Sequence, residues 1–367
     1  MPAGGKWALV KAEVRPKMNY KLKQLAGASA AVIAAMGITP AFAAGTTAGS
    51  TITNVATVNY QVGGVAQTAI TDDDAIIVDR KVNLTIVQLG SATTSVTPGQ
   101  TGAATTFTIT NTSNAPIDIG LAASNLVGGT APNSAGLDVF DVSAFTYYID
   151  NGDNVFNAGD TLVTFLDEVA ADAVRVVHVV ATVPGTATNG QIAAISLTGT
   201  AQAAGAAATQ GANLVATVGA NTAGMDTVLA DNDGIDDGLS DGVSSARDDY
   251  TVSAPVLTVN KFSRIISDPV NGTTNPKMIP GAVVEYCISV ANSAAGATAS
   301  SVIITDPLPT QTTYVAAFGV FEGGTFAAGV CSGGTNTGTF ATPTVTGNLG
   351  TVAANATETV YFRVTIN

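Results

Sequence analysis

Residues 97–111 read TPGQTGAATTFTITN, and residues 279–292 read IPGAVVEYCISVAN. Each sets a Pro-Gly pair ahead of an alternating apolar run that closes on an Asn. From that Pro to that Asn the two stretches differ in length by one residue. Alternation with a period of two puts every second side chain on one face, the pattern of a strand packed on one side. Working outward, VNLTIVQL (82–89) precedes the first stretch and VLTVNKF (256–262) the second, so Leu84 and Leu257 stand 173 positions apart in an internal repeat. An acidic pair and a short apolar run come earlier still, DDAIIV at 73–78 and DDYTV at 248–252. Downstream, VRVVHVVATV (174–183) answers TVYFRVTIN (359–367). No long i, i+3, i+4 apolar pattern survives anywhere, and Gly, Pro, Asn and Asp clusters separate the short runs. The expected fold is all-β: two immunoglobulin-like β-sandwich domains in tandem, behind an N-terminal hairpin extension and a cleaved signal peptide.

The two repeats are out of phase with the chain. The first continues past VRVVHVVATV into QIAAISLTGTA (191–201) and then an acidic region; the second stops at TVYFRVTIN. A segment of the missing type stands at the other end, where TITNVATVNYQV (51–62), Gly63-Gly64 and VAQTAITDDDAIIV (65–78) read as a hairpin with a Gly-Gly turn. The expected organisation is a signal-peptide region over 1–43, a donor-type hairpin over 44–80, a first sandwich with an acidic insertion over 81–249, and a second sandwich over 250–367 that lacks its last strand.

The leader follows from NYKLKQ (19–24), the 14-residue apolar run LAGASAAVIAAMGI (25–38), and Ala41-Phe42-Ala43 as the cleavage site. A start at Met18 would account for the residues before it. Beyond this leader no apolar run reaches the length of a membrane span. The chain has 367 residues, 14 basic against 27 acidic. Six of the basic groups and one acid fall within the first 43 residues, leaving 8 against 26 for the remainder. Such a balance excludes ordinary nucleic-acid binding, which needs clustered Lys and Arg. In an oxidising compartment Cys287 and Cys331 are expected to form one disulfide, with two separate thiols as the alternative.

The stretches IPGAVVEYCISVANSAAGATASSVIITDPLPTQTTYV (279–315), TETVYFRVTIN (357–367) and GSTITNVATVNY (49–60) resemble the repeat domains of large bacterial surface proteins, the family catalogued as domain of unknown function eleven. In that family a strand of the TITNVATV type closes the domain that contains Asp306-Pro307-Leu308-Pro309; here it lies far upstream. The resemblance implies an immunoglobulin-like surface architecture and no enzymatic activity. It also implies a further candidate. Similar surface domains cross-link a first-strand Lys to a last-strand Asn with help from a central acid, roles that would fall to Lys261, Asn367 and Glu285. The alternative is an ordinary surface Lys, terminal Asn and exposed Glu.

A sandwich short of a strand exposes apolar side chains and unpaired N–H and C=O groups, and such an edge needs cover. Three outcomes stand open: the hairpin of a neighbouring copy fills the gap, the molecule's own hairpin folds back, or the edge is tolerated. The first gives a head-to-tail contact that repeats without closing. Ile52, Val55, Val58 and Tyr60 are the candidate plugs; Ile52, Val58 and Tyr60 share a face, while the register around Val55 is open. Burying four such side chains at about 2 kcal/mol each would contribute roughly 8 kcal/mol before entropy costs.

Two acidic regions are calcium candidates, because hard Ca²⁺ takes six to eight oxygens and Asp and Asn on Gly-containing turns can converge them. One holds Asp150, Asp153, Asn157 and Asp160; the other holds Asp231, Asp233, Asp236 and Asp241 within 226–249. Hydrated Asx-turn loops are the alternative for both. The single His178 lies in an alternating strand, and no catalytic constellation accompanies it, so no enzyme is expected. The leading functional reading is a secreted structural subunit of a pilus-like surface filament whose partners are copies of itself. The runner-up is a monomeric calcium-dependent adhesin or carbohydrate-binding module with a glycan ligand.

Overall fold

The structure is a computed structural model that describes residues 45–367. The leader and its cleavage site lie outside the described residues. No described residue is helical, and no helix is long and apolar enough to cross a membrane.

The chain begins with a two-stranded antiparallel hairpin, β1 (Thr51–Val58) and β2 (Ile70–Ile77). Its arms continue into a short ladder of Gln61–Val62 with Val65–Ala66, turned by Gly63 and Gly64. Both glycines have positive φ, as this tight turn requires.

The first sandwich is built from β3 (Leu84–Gln88), β4 (Thr94–Val96), β5 (Ala103–Asn111), β6 (Ile117–Asn125), β7 (Ser143–Ile149), β8 (Thr161–Val163), β9 (Phe165–Val169), β10 (Val174–Thr182), β11 (Ile192–Ala203) and β12 (Val243–Val252). Two five-stranded sheets face each other, ordered β8-β7-β10-β5-β3 and β9-β6-β11-β12-β4. The alternation read from the sequence is literal in β5, where every second residue is buried. The core gathers Leu84, Ile86, Phe107, Ile109, Ile119, Val179, Ile195, Leu197 and Tyr250. The expected boundary at 249/250 falls inside β12. Tyr250 and Val252 belong to the first core, because β12 pairs along its length with β11.

The second sandwich comprises β13 (Leu257–Ser267), β14 (Val283–Asn292), β15 (Ala299–Pro307), β16 (Thr312–Tyr314), β17 (Val320–Glu322), β18 (Thr339–Ala341), β19 (Thr344–Val352) and β20 (Thr357–Ile366). Its larger sheet runs β13-β14-β20-β17 and on to Thr335–Asn336, with β16 also on β20. The smaller has three strands, β15-β19-β18. The core of Val284, Ile288, Val345, Val360, Phe362 and Val364 is smaller than the first. The expected disulfide is formed: Cys287 on β14 joins Cys331, Cα atoms 5.4 Å apart, across a separation of 44 residues.

Candidate functional site

The internal repeat can be checked atom by atom. Leu84 pairs with Asn111 across β3–β5, and Leu257 with Asn292 across β13–β14. Asn111 Nδ2 donates to the carbonyls of Ala115 (3.0 Å) and Val169 (2.8 Å), bridging the two sheets. Asn292 Nδ2 does the same with Ala297 (2.7 Å) and Val352 (3.2 Å). The Asn that closes each quoted stretch is therefore a buried staple, satisfied by two backbone acceptors.

With that register fixed, β3 corresponds to β13, β6 to β15, β9 to β19 and β10 to β20. In the first sandwich β6 lies between β9 and β11, and β12 extends the same sheet over β3. In the second, β15 pairs with β19 alone, and among the described residues no strand occupies its other edge. The consequence is plain in the side chains. Leu84 and Ile86 are 1% and 5% exposed; their counterparts Leu257 and Val259 are 41% and 61% exposed. Phe262 on β13 and Ile303 on β15 are exposed as well.

What closes the first seam is visible at Gly199 on β11. A Cβ there would lie 2.7 Å from Ile86 Cδ1 and 3.1 Å from Ile119 Cγ2. The strand therefore crosses directly over the β3 side chains, close enough that a side chain at this position would force them to shift. The Ile86 N–H donates to Ser244 Oγ of β12 at 3.0 Å. The Tyr250 ring is buried beside Thr105, their hydroxyls 3.4 Å apart.

The N-terminal hairpin is built like the β11–β12 pair. Gly49 and Gly190 both have positive φ, and their N–H groups donate at 2.8 Å to Val78 and Val252 respectively. Val78 N–H returns a bond to Ser50, as Val252 does to Gln191. Counting from these glycines, Ile52 stands where Ala193 is, Val58 where Gly199 is, Ile76 where Tyr250 is and Asp74 where Asp248 is. Yet every residue of β1 and β2 is exposed. The hairpin does not fold back on its own molecule. Ile52 and Val58 lie on one face, and continued alternation puts Tyr60, just past β1, on the same side. Val55 is on the opposite face, across from Asp73. Asn54 and Ala56, rather than Val55, share the face of Ile52 by this alternation.

The base of each hairpin is fixed to the sandwich that follows it. Ala48 N–H donates to Asn114 O at 3.0 Å, and Asn114 Nδ2 donates to Thr46 O and Asp79 O. At the corresponding place Asn189 Nδ2 donates to Ala295 O at 2.9 Å, and Ala254 N–H donates to Asn189 Oδ1.

The acidic regions separate into two cases. Asp150 and Asp160 come together with His178: Nε2 lies 3.2 Å from Asp150 Oδ1 and 3.7 Å from Asp160 Oδ2, with all three side chains buried. His178 Nδ1 is 2.9 Å from Thr106 Oγ1, and the Phe156 ring packs edge-on to the imidazole. Burial acts to raise the Asp150 carboxyl, but the Gly152 N–H, His178 and the Asn154 N–H outweigh it and hold the group below its ordinary range. Asp153 and Asn157 point elsewhere in the same loop, each accepting and sharing Asx-turn bonds. Sequence reasoning placed His178 on its strand but missed its part in this cluster, because the partners come from a loop 18 to 28 residues earlier in the chain.

Asp231, Asp233, Asp236 and Asp241 do not converge. Asp231 accepts the Asp241 and Gly242 N–H groups, Asp236 pairs with Arg247, Asp241 accepts Gly238 and Val243, and Asp233 is exposed. The cross-link trio is not brought together either. Glu285 is buried between Arg264 (2.6 Å) and Arg363 (2.9 Å), which neutralise it. Lys261 reaches Asp306, and Asn367 bonds Thr313 and Thr310.

No family model and no curated protein matches the chain. Among solved structures it is similar to the T6 backbone pilin of serotype M6 Streptococcus pyogenes, at 10% identity and TM-score 0.22, over 79% of this chain and 54% of the pilin. It is also similar to a protein described as membrane-anchored from Corynebacterium diphtheriae, at 10% identity and TM-score 0.19, over 86% of this chain and 89% of that one. The chain spans about half the length of the T6 pilin. At these TM-scores the molecules do not superpose as wholes, so the all-β sandwich architecture rests on this chain's own strand pairing.

Proposed function

We propose that the protein is a secreted structural subunit of a pilus-like surface filament, in which the hairpin of one copy fills the open seam of the next. The observation that carries this reading is the pair of counterparts within one chain. The β11–β12 hairpin closes the first seam, and the β1–β2 hairpin, of the same register, stands uncovered while the second seam stands open.

Size complementarity supports the match. Gly199 sits over Ile86, whereas Val58 would sit over the smaller Val259. The bulky Tyr250 sits beside Thr105, whereas the slimmer Ile76 would meet Tyr286, the counterpart of Thr105. Each exchange runs in the complementary direction, with a larger residue on one side facing a smaller one on the other. Each hairpin base is bonded to the same carbonyl position of the following sandwich, Asn114 O and Ala295 O, so donation would make the contact between copies resemble the contact between the two sandwiches of one copy. A donor end and an acceptor end on different surfaces give a heterologous contact that propagates. Export follows from the leader reading, and the resemblance to surface-protein repeat domains belongs to the same proposal.

The test is assembly of the chain from residue 44 onward, followed by electron microscopy and light scattering. Threads are expected from the intact chain and folded monomers after removal of residues 51–77. Threads that persist without the hairpin would overturn the reading.

A further inference from the structure

Lys261 and Gln88 hold the same place in the repeat. Each lies four residues beyond the leucine of its edge strand, paired with Ile288 and Phe107 respectively. In the closed seam the Gln88 amide donates to Asp248 Oδ1 of β12 at 2.9 Å, and Asn133 Nδ2 donates to the same oxygen at 3.0 Å. The residue of the N-terminal hairpin in the register position of Asp248 is Asp74. Asp72 lies on the same face, two residues earlier. Among the described residues no ion pair is made by Asp72, Asp73 or Asp74, and all three are exposed. In the open seam Lys261 has no hairpin to meet. Its Nζ lies instead 2.5 Å from Asp306 Oδ2 on β15, joining the edge strands of the two sheets, and 4.6 Å from the centre of the Tyr286 ring.

We propose that Lys261 seats the hairpin of a second copy, leaving Asp306 and taking Asp74 of that copy as its partner. The inference rests on the donation reading and adds the charge that selects the occupant. A carboxylate carried into a seam between sheets needs a charged or hydrogen-bonded partner there. Asp248 has two side-chain amides and the Asp249 N–H. Asp74 enters with Asp72 beside it, and a full positive charge at the Gln88 position meets that larger demand. A slip of one residue one way would put Ala75 at the Lys261 position and remove the pair; the other way would put Asp73 there, and in both cases Ile76 and the apolar face of β1 would turn outward, so charge and apolar alternation fix the register together. While the seam is empty, the Lys261–Asp306 pair keeps the same ammonium engaged.

The experiment uses charge-swapped full chains, Lys261→Glu and Asp74→Lys, each checked for folding by circular dichroism. Alone, each places like charges at the contact, and at least a tenfold loss of polymer is expected. Mixed in equal amounts, the two variants place opposite charges at every junction between unlike copies, and an alternating polymer is expected to return. Lys261→Met, which removes the charge but keeps most of the chain's apolar length, is expected to fall between wild type and the swaps. Single swaps that polymerise like wild type, or a mixture no better than either component, would overturn the proposal. Hairpin-dependent threads with no charge effect would sink the Lys261–Asp74 pair alone; threads independent of residues 51–77 would sink the donation reading beneath it.

Discussion

The two sandwiches share a staple, a register and a sheet order, and they differ in one seam. In the first, β11 and β12 bury Leu84 and Ile86; in the second, Leu257 and Val259 carry the same pattern and stay in contact with solvent. An alternating strand therefore specifies which face wants cover, but not what covers it. The exposed hairpin has the complementary defect, an apolar stripe on β1 with carboxylates on β2 and no sheet to join. Either feature alone is an aggregation hazard. Together in one chain they are what the proposed donation would join, a plug on one copy and a socket on the next.

The largest effect that could break this comparison comes from filling the second seam in cis. A copy of residues 45–78 joined by a flexible linker beyond Asn367 should yield monomers whose second sandwich melts roughly 10–20 °C higher, from several buried apolar side chains at about 2 kcal/mol each. An unchanged melting temperature would mean that the seam and the hairpin are not complements.

A smaller effect tests how the second sandwich holds its thinner core. Cys287 and Cys331 close a loop of 44 residues, so replacing both with Ser should cost roughly 3–4 kcal/mol in the second sandwich and leave the first unmoved. Denaturant curves read by Trp substitutions placed in each sandwich would check it; an equal loss in both would show that the two do not unfold separately.

The smallest effect sharpens the role of the acid in the closed seam. The Asp248 carboxyl is pushed up to about 7, chiefly by burial, with Asp249 beside it adding to the shift. The folded state then binds a proton that the unfolded chain has already released, so the stability of the first sandwich falls as pH rises from about 4 to 7 and is flat above. Asp248→Asn should remove that fall and stabilise the first sandwich at pH 8. A variant with the wild-type pH profile would place the titration elsewhere.

Much of this was legible in the residues. The Pro-Gly-to-Asn stretches located β5 and β14, the Gly-Gly pair located the hairpin turn, and the two cysteines found each other. The functional residues were less legible. Ile52, Val58 and Tyr60 follow from simple alternation, but Val55 falls on the other face, and Asn54 and Ala56 look too polar or too small to read as plugs. Lys261 and Glu285 were visible as charges on strands, whereas their partners Asp306, Arg264 and Arg363 arrive from other strands. The loop acids divided the same way: Asp150 and Asp160 meet at His178, while Asp231 and Asp241 bind backbone N–H groups, Asp236 pairs with Arg247 and Asp233 is exposed.

What the sequence determined by itself was every relation carried by local pattern. Strands, their inward faces, the repeat and its offset depend only on side-chain alternation and turn chemistry within a few residues. Which strands lie side by side was decided in three dimensions, because pairing joins segments scores of residues apart and leaves no local trace. That is where the empty place beside β15, and the lysine that leans across it to Asp306, came into view.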